Sequence, residues 1–465
     1  MDVNNEERWA VLSEVNFILL DNSLRETVVG NTRAQTVQQK MKIFELIVST
    51  GLREMILGSF GRHPRTDDYF IESLHTQGLI NEGHYVFSEL FDQEVDGVPS
   101  AAKPRGLRIA EDYGIRNLVV EFDVNTPNFQ RWGGSRTIKE LCELRSLEFN
   151  QLTQARNLFF NIRDFTSAMK NCAGETLDIV EHLARIPEAM RPRGLLVEDP
   201  TGETFPHVFG EWIRQVKQVA TSGGWAKFEL LVHVHKGFGL SEAITLEAIS
   251  NGATGVWAGL CDTGVGVGHN ASLMTMMNLA RLGNNNVLER FNLPIMRKVA
   301  QEIYQMTTNA SIPDTAELFS DRTFEMIFNG GFGHEHTLAR IFSGHARYRI
   351  SELADGNMIH QRLIELNNAY PWDTTVASLM ALEIQEYLNY NANLDLNSPP
   401  SLVLRYLTAG GKVTNGLIDM VLQHEGGSAA RSRWQVFRSR VVKGDAPPIL
   451  NAHYLMSVAD QSAPE

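Results

Sequence analysis
Eight apolar runs, each followed by a helix-length stretch, fill about the first 261 residues of this 465-residue chain, and no other feature narrows its possible folds so far. They lie at 16–21, 54–60, 84–91, 117–123, 157–163, 193–199, 228–235 and 252–261. Strands that alternate with helices form a parallel sheet, because a parallel neighbour is reached only through a crossover connection. Eight such units in this length predict an α/β fold of the (β/α)8 TIM-barrel type. An open doubly wound sheet would need a glycine-rich phosphate turn after its first strand. Leu24-Arg-Glu-Thr-Val28 does not supply one.

In such a barrel the chemistry sits at the carboxyl ends of the strands, and four of those ends are polar. The run 228–235 closes on His233-Val-His235, two imidazoles on one face of a strand, spaced to grip one metal ion. Alone, such a pair more often satisfies ordinary hydrogen bonds. Its company favours the metal: Arg25 and Glu26 follow the first run, and Glu198-Asp199-Pro-Thr201-Gly202 closes another. The last run leads into Gly264-Val-Gly-Val-Gly-His269-Asn270.

Together these residues resemble the DRE-TIM metallolyase superfamily, which contains the isopropylmalate, citramalate and homocitrate synthases and the hydroxymethylglutaryl-CoA lyases. Asp21-Asn-Ser-Leu-Arg-Glu26 is similar to the Asp-Ser-Thr-Leu-Arg-Glu motif of the homocitrate synthases. The resemblance implies a catalytic Arg25 and a metal-binding Glu26. His233 and His235 resemble the family's paired metal ligands, and Glu198 to Pro206 is similar to its Asp-Thr-x-Gly followed by Pro. Gly266-Val-Gly-His-Asn270 stands where the synthases have a glycine-rich loop ending in Gly-Asn. Order and spacing agree over roughly residues 16 to 280, the whole expected barrel.

The departures are specific. Thr27-Val-Val29 replaces Gly-Glu-Gln, Lys236-Gly237 replaces Asn-Asp, and the glycine loop lacks its Glu-Arg pair and needs one extra residue to align. The substrate of a relative therefore does not carry over.

The expected chemistry follows from charge. Glu26 with neutral His233 and His235 would set one negative charge against a divalent ion (Mg, Mn or Zn), leaving open positions for a substrate carbonyl and carboxylate. Arg25, planar and permanently charged, would steady a developing enolate or alkoxide oxygen. The plain alternative for Arg25 is a salt bridge across the barrel mouth with an acid such as Asp199, and Glu26 has the same alternative. Asp199 either positions the metal's ligands or caps the following turn. Asn270 either completes the ligand shell through its amide oxygen or stabilises a turn, and His269 reads as a loop histidine.

A formal charge of −13 argues against a nucleic-acid partner, and three cysteines imply no disulfide framework. Cys261, at the end of the eighth run, reads as buried rather than reactive. No apolar run approaches the roughly 20 residues that span a bilayer. Met1-Asp-Val-Asn-Asn-Glu-Glu7 lacks the basic start of a secretory signal, so the expected location is the cytoplasm.

The sequence divides into a barrel at 1–282, a mainly α-helical C-terminal extension at 283–445 and a loose tail at 446–465. A helix is expected over 284–307, its second half starting at Asn292-Leu-Pro294. In the synthases a post-barrel helical subdomain lends a histidine to the partner subunit's site. Phe324 and Gly333-His334 resemble that stretch, which implies His334 as a general acid or base and a homodimer covered by its own extension. A surface histidine is the plain alternative. Arg431, Arg433, Arg438, Arg440 and Lys443 form either a CoA phosphate contact or a solvated basic helix face.

The leading expectation is a metal-dependent acyltransferase that condenses an acyl-CoA, acetyl-CoA foremost, with a 2-oxo acid. The alternatives are a retro-aldol carbon–carbon lyase at the same site and a barrel that has lost catalysis and serves as a binding or scaffold subunit.

Overall fold
Each apolar run becomes a parallel strand. A computed structural model describes residues 5–26, 35–151, 157–313, 316–388 and 397–412. The strands are β1 Ile18–Asp21, β2 Met55–Phe60, β3 His84–Glu89, β4 Asn117–Phe122, β5 Asn157–Ile162, β6 Gly194–Asp199, β7 Glu229–Val234 and β8 Gly255–Ala258. They close in the order β1-β8-β7-β6-β5-β4-β3-β2, so the expected TIM barrel is the observed fold.

The runs are almost continuously apolar because both faces of a barrel strand are covered. The inner face supplies Leu20, Ile56, Tyr85, Val119, Phe159, Leu196, Leu231 and Trp257, one from each strand, and Phe87 adds a second from β3. All are at most 1% exposed, so the interior is a packed core and not a pore. Truncating Ile56 or Leu231 to alanine there would cost about 2–5 kcal/mol.

The outer face meets the helices, among them α1 Val37–Ser49, α2 Thr66–Thr76, α3 Ala173–Arg185, α4 Pro206–Ser222, α5 Ser241–Ser250 and α6 Ser272–Arg281. Helix α1 shows how local sequence sets an end. Thr36 accepts from the Gln39 N–H while the Gln39 side chain accepts from the Thr36 N–H, a reciprocal cap that starts the helix. Its buried stripe of Ile43, Phe44 and Ile47 also carries one cation, Lys40.

After α6, Asn284 caps Asn285–Arg290 and Asn292 caps Leu293–Thr308, whose Pro294 is tolerated in the first turn. The expected 284–307 helix is thus two helices, divided where Asn292 and Pro294 foretell a fresh start. The chain forms two compact units, Met1–Ser320 and Asp321–Glu465. In the second, Gly356–Leu366, Thr374–Leu388 and Pro399–Thr408 share a core that includes Met358, Leu363, Trp372, Met380 and Tyr406. The Arg431 to Lys443 cluster, the 446–465 tail and Thr27-Val-Val29 lie outside the described residues. No helix among the described residues is long and apolar enough to cross a membrane.

Candidate metal centre at the barrel mouth
Alternate residues of a strand share a face, so the inner core predicts what reaches the mouth. Two positions beyond Val119, Leu196 and Leu231 come Glu121, Glu198 and His233, and His235 follows after two more. Glu26 arrives differently, on the short helical turn Ser23–Glu26 that leaves β1. That turn is pinned by Asp21, which accepts from the Ser23 N–H at 3.1 Å and the Ser23 hydroxyl at 3.0 Å.

Glu26, His233 and His235 are buried, and one ligand atom from each lies within 4.8 Å of the others. His233 donates Nδ1–H to the Trp257 carbonyl at 2.8 Å and stacks on the Trp257 indole with centroids 4.3 Å apart. Its Nε2 is left buried with no hydrogen-bond partner among the described residues. Burial pushes the His233 pKa well below the usual histidine range, outweighing the attraction of Glu26. A neutral imidazole with a bare, buried lone pair is the form a metal requires.

Burial alone would raise the Glu26 pKa, but the attraction of His233, and after it of Arg25, His269 and His235, lowers it to about 2. With His233 held neutral, the permanent charge is Arg25, whose Nη1 lies 3.0 Å from Glu26 Oε2. His235 faces the other way in charge. Burial works against its protonated form, yet the Glu198 carboxylate 3.2 Å from its Nε2 raises its pKa.

Arg25 is fixed on several sides. Its Nε donates to Ser59 Oγ at 3.0 Å, and its guanidinium carbon lies 4.3 Å from the Phe87 ring centroid. Ser59 is held in turn by Asp67, which accepts from the Ser59 N–H at 2.8 Å and pairs with Lys40 Nζ at 2.9 Å. Lys40, fully buried, also donates to the Leu24 carbonyl one residue before Arg25. Gly58 makes room for this network, since a Cβ there would stand 2.6 Å from Asp67 Oδ2.

Of the two readings of Asp199, the hydrogen bonds favour the one that caps the turn. Its carboxylate accepts from Thr201 N, Gly202 N and the Thr201 hydroxyl, and from Thr204 N at 3.4 Å, so it serves the turn. Among the described residues its side chain neither pairs with Arg25 nor bonds a histidine, only its main-chain oxygen accepting from the His235 N–H; its neighbour Glu198 meets the His235 ring, because Glu198 is the inward residue of the pair. Asn270 fits both readings at once. Its Nδ2 is held by the Thr245 and Thr275 hydroxyls, and its Oδ1 is buried without a partner among the described residues. His334 belongs to the second unit, where it opens the helix His334–Ile341 and is 61% exposed. Cys261 is buried as expected, its pKa pushed up to about 11 by that burial.

Sequence reasoning undervalued His269. It stands in the loop but is 0% exposed, its ring 4.9 Å from His233 and its Nε2 unpartnered among the described residues. The loop packs this tightly because Gly264 has no side chain: a Cβ there would stand 2.9 Å from Glu26 Cγ and 2.8 Å from His269 Cδ2. The glycine spacing was the available signal. The mouth encloses a cavity of about 300 Å³ lined by Arg25, Glu26, Glu121, Arg163, Glu198 and His235, among others.

No protein-family model matches the chain. A 2-isopropylmalate synthase from Pasteurella multocida is 22% identical over 308 residues, 65% of this chain and 55% of that protein. The chain thus spans little more than half the length of that curated relative. Among solved structures, an HMG-CoA lyase from Acinetobacter baumannii, in complex with coenzyme A and 3-methylmalate, aligns with a TM-score of 0.50 at 13% identity. That alignment covers 67% of this chain and 96% of the lyase, and it supports the barrel fold.

Proposed function
We propose that the chain is a divergent member of the DRE-TIM metallolyase superfamily and an enzyme that condenses an acyl-CoA, acetyl-CoA foremost, with a 2-oxo acid, a reading that the similarity to the synthase and the barrel fold support. Glu26, His233 and His235 would hold a divalent ion, with Asn270 Oδ1 as a further ligand. The observation that carries this reading is the buried, unpartnered Nε2 of His233 beside an ionised carboxylate. The ion would supply Lewis-acid polarisation of the oxo group.

The chain's own groups do the rest. Arg25, already fixed by Ser59 and Phe87, faces the cavity and offers donors to oxygen as negative charge grows there, without reorganising. Glu26 keeps its charge at any physiological pH, so it serves as ligand and as anchor for Arg25. Trp257 keeps the His233 tautomer correct.

The missing Glu-Arg pair of the glycine loop favours a second reading, retro-aldol cleavage at the same centre. Supplying the metal-loaded protein with acetyl-CoA and a panel of 2-oxo acids, while following free CoA thiol, separates the two. Condensation releases thiol at a rate that depends on both substrates, whereas cleavage of 2-hydroxy acids or hydroxyacyl thioesters does not. Metal binding with neither reaction would support a binding or scaffold role.

A further inference from the structure
We propose that the side of the cavity formed by β3, β4 and β5 selects a substrate whose distal end carries a hydrogen-bond donor, a hydroxyl or ammonium group, and not a second carboxylate. This rests on the reading that the metal end takes a 2-oxo acid. Glu121 is the centre of the argument. It lines the cavity, is 6% exposed, and its Oε2 has no hydrogen-bond partner among the described residues. Arg25 Nη2 stands 3.9 Å from that oxygen, beyond hydrogen-bond distance. A buried carboxylate oxygen with no donor from the protein is an acceptor suited to a donor from a ligand.

The surrounding charges point the same way. Arg163, the guanidinium of this wall, is taken by both oxygens of Asp123, at 3.0 and 2.5 Å. Its Nη1 also stands 3.6 Å from Glu121 Oε1 and 3.7 Å from Glu89 Oε1. One guanidinium therefore faces three carboxylates, and a substrate carboxylate would be the fourth. Burial and the facing Glu121 push the Glu89 pKa up to about 7, so this wall already holds more negative charge than it can easily keep. A donor from the substrate relieves that strain, and a carboxylate adds to it. A site built to accept a hydrogen bond also rejects analogues lacking the donor more strongly than a pocket that merely fits shape.

Three acids that share a five-carbon backbone test this: 5-hydroxy-2-oxopentanoate, 2-oxopentanoate and 2-oxoglutarate, titrated calorimetrically into the full chain loaded with Mn²⁺. The hydroxy acid is expected to bind about 10-fold or more tighter than either of the others. Glu121→Gln, which removes the charge and keeps the shape, should bind 2-oxoglutarate about 10-fold tighter than the wild type does, with unchanged Mn²⁺ stoichiometry. Glu89→Gln should move in the same direction, which keeps the test decisive if Glu121→Gln does not fold. Equal or tighter binding of 2-oxoglutarate to the wild type, through Arg65 of the same cavity, would overturn the proposal. If Mn²⁺ binds but none of the three acids does, the 2-oxo acid reading itself fails and this proposal with it. The two failures are thus distinct.

Discussion
His233 holds Nδ1 2.8 Å from the main-chain oxygen of Trp257 while its ring stacks on the indole of the same residue, so one contact sets the tautomer and the other sets the plane. Only Nε2 is then left to bind a metal. Nitrogen-15 NMR of histidine-labelled protein should show His233 as the neutral Nδ1–H tautomer, with its charging displaced well below the ordinary histidine range because burial lowers its pKa. Zn²⁺ should shift Nε2 most. An Nε2–H tautomer, or titration near the ordinary histidine value, would refute the assignment.

Arg25→Lys should retain metal and fold but lose about 100-fold or more in turnover, the usual effect of removing one preorganised donor to developing charge. A lysine ammonium cannot donate to Ser59 from Nε, lie flat over Phe87 and pair with Glu26 together. Turnover within a few-fold of wild type would return Arg25 to a salt-bridge role.

Lys40→Met should destabilise the first unit by about 3–5 kcal/mol in denaturant melts, since it leaves Asp67 as a buried charge without its partner. Replacing both, as Lys40→Met with Asp67→Leu, should restore much of that stability. It should not restore activity, because Asp67 also holds the Ser59 that steadies Arg25. A double variant with normal turnover would show that this network does not position Arg25.

His84, fully buried, has its pKa lowered to about 4 by burial, against 6.5 when unfolded. Because the unfolded chain binds the extra proton first, stability rises with pH between about 4 and 6.5. This group's contribution is complete above pH 6.5 and is lost as pH falls toward 4. Wild-type stability should drop by about 2 kcal/mol more than that of His84→Gln between pH 7 and pH 5. Parallel pH profiles for the two proteins would contradict this.

The barrel was legible because its strands are buried on both faces and so read as unbroken apolar runs. The first motif and His233-Val-His235 were legible because their ligand atoms sit close in sequence to a strand end. Glu121 and Arg163 were not singled out, since their part in the mouth depends on which alternate residues of β4 and β5 face inward, and that emerges only when the barrel closes. Asp199 and Glu198 show the same limit: adjacent residues face opposite sides, and sequence alone did not decide which faced the histidines. His269 was undervalued because a loop position says nothing of burial until the glycines beside it are packed against Glu26.

The central claim is that Glu26, His233 and His235 form one metal centre, and metal content per chain measures it most directly. After purification, incubation with Zn²⁺ or Mn²⁺ and removal of free ion, the wild type should retain close to one ion per chain. Glu26→Ala, His233→Ala and His235→Ala should each fall well below half occupancy while remaining folded. A wild type that retains no ion, or full occupancy in all three variants, would contradict the account.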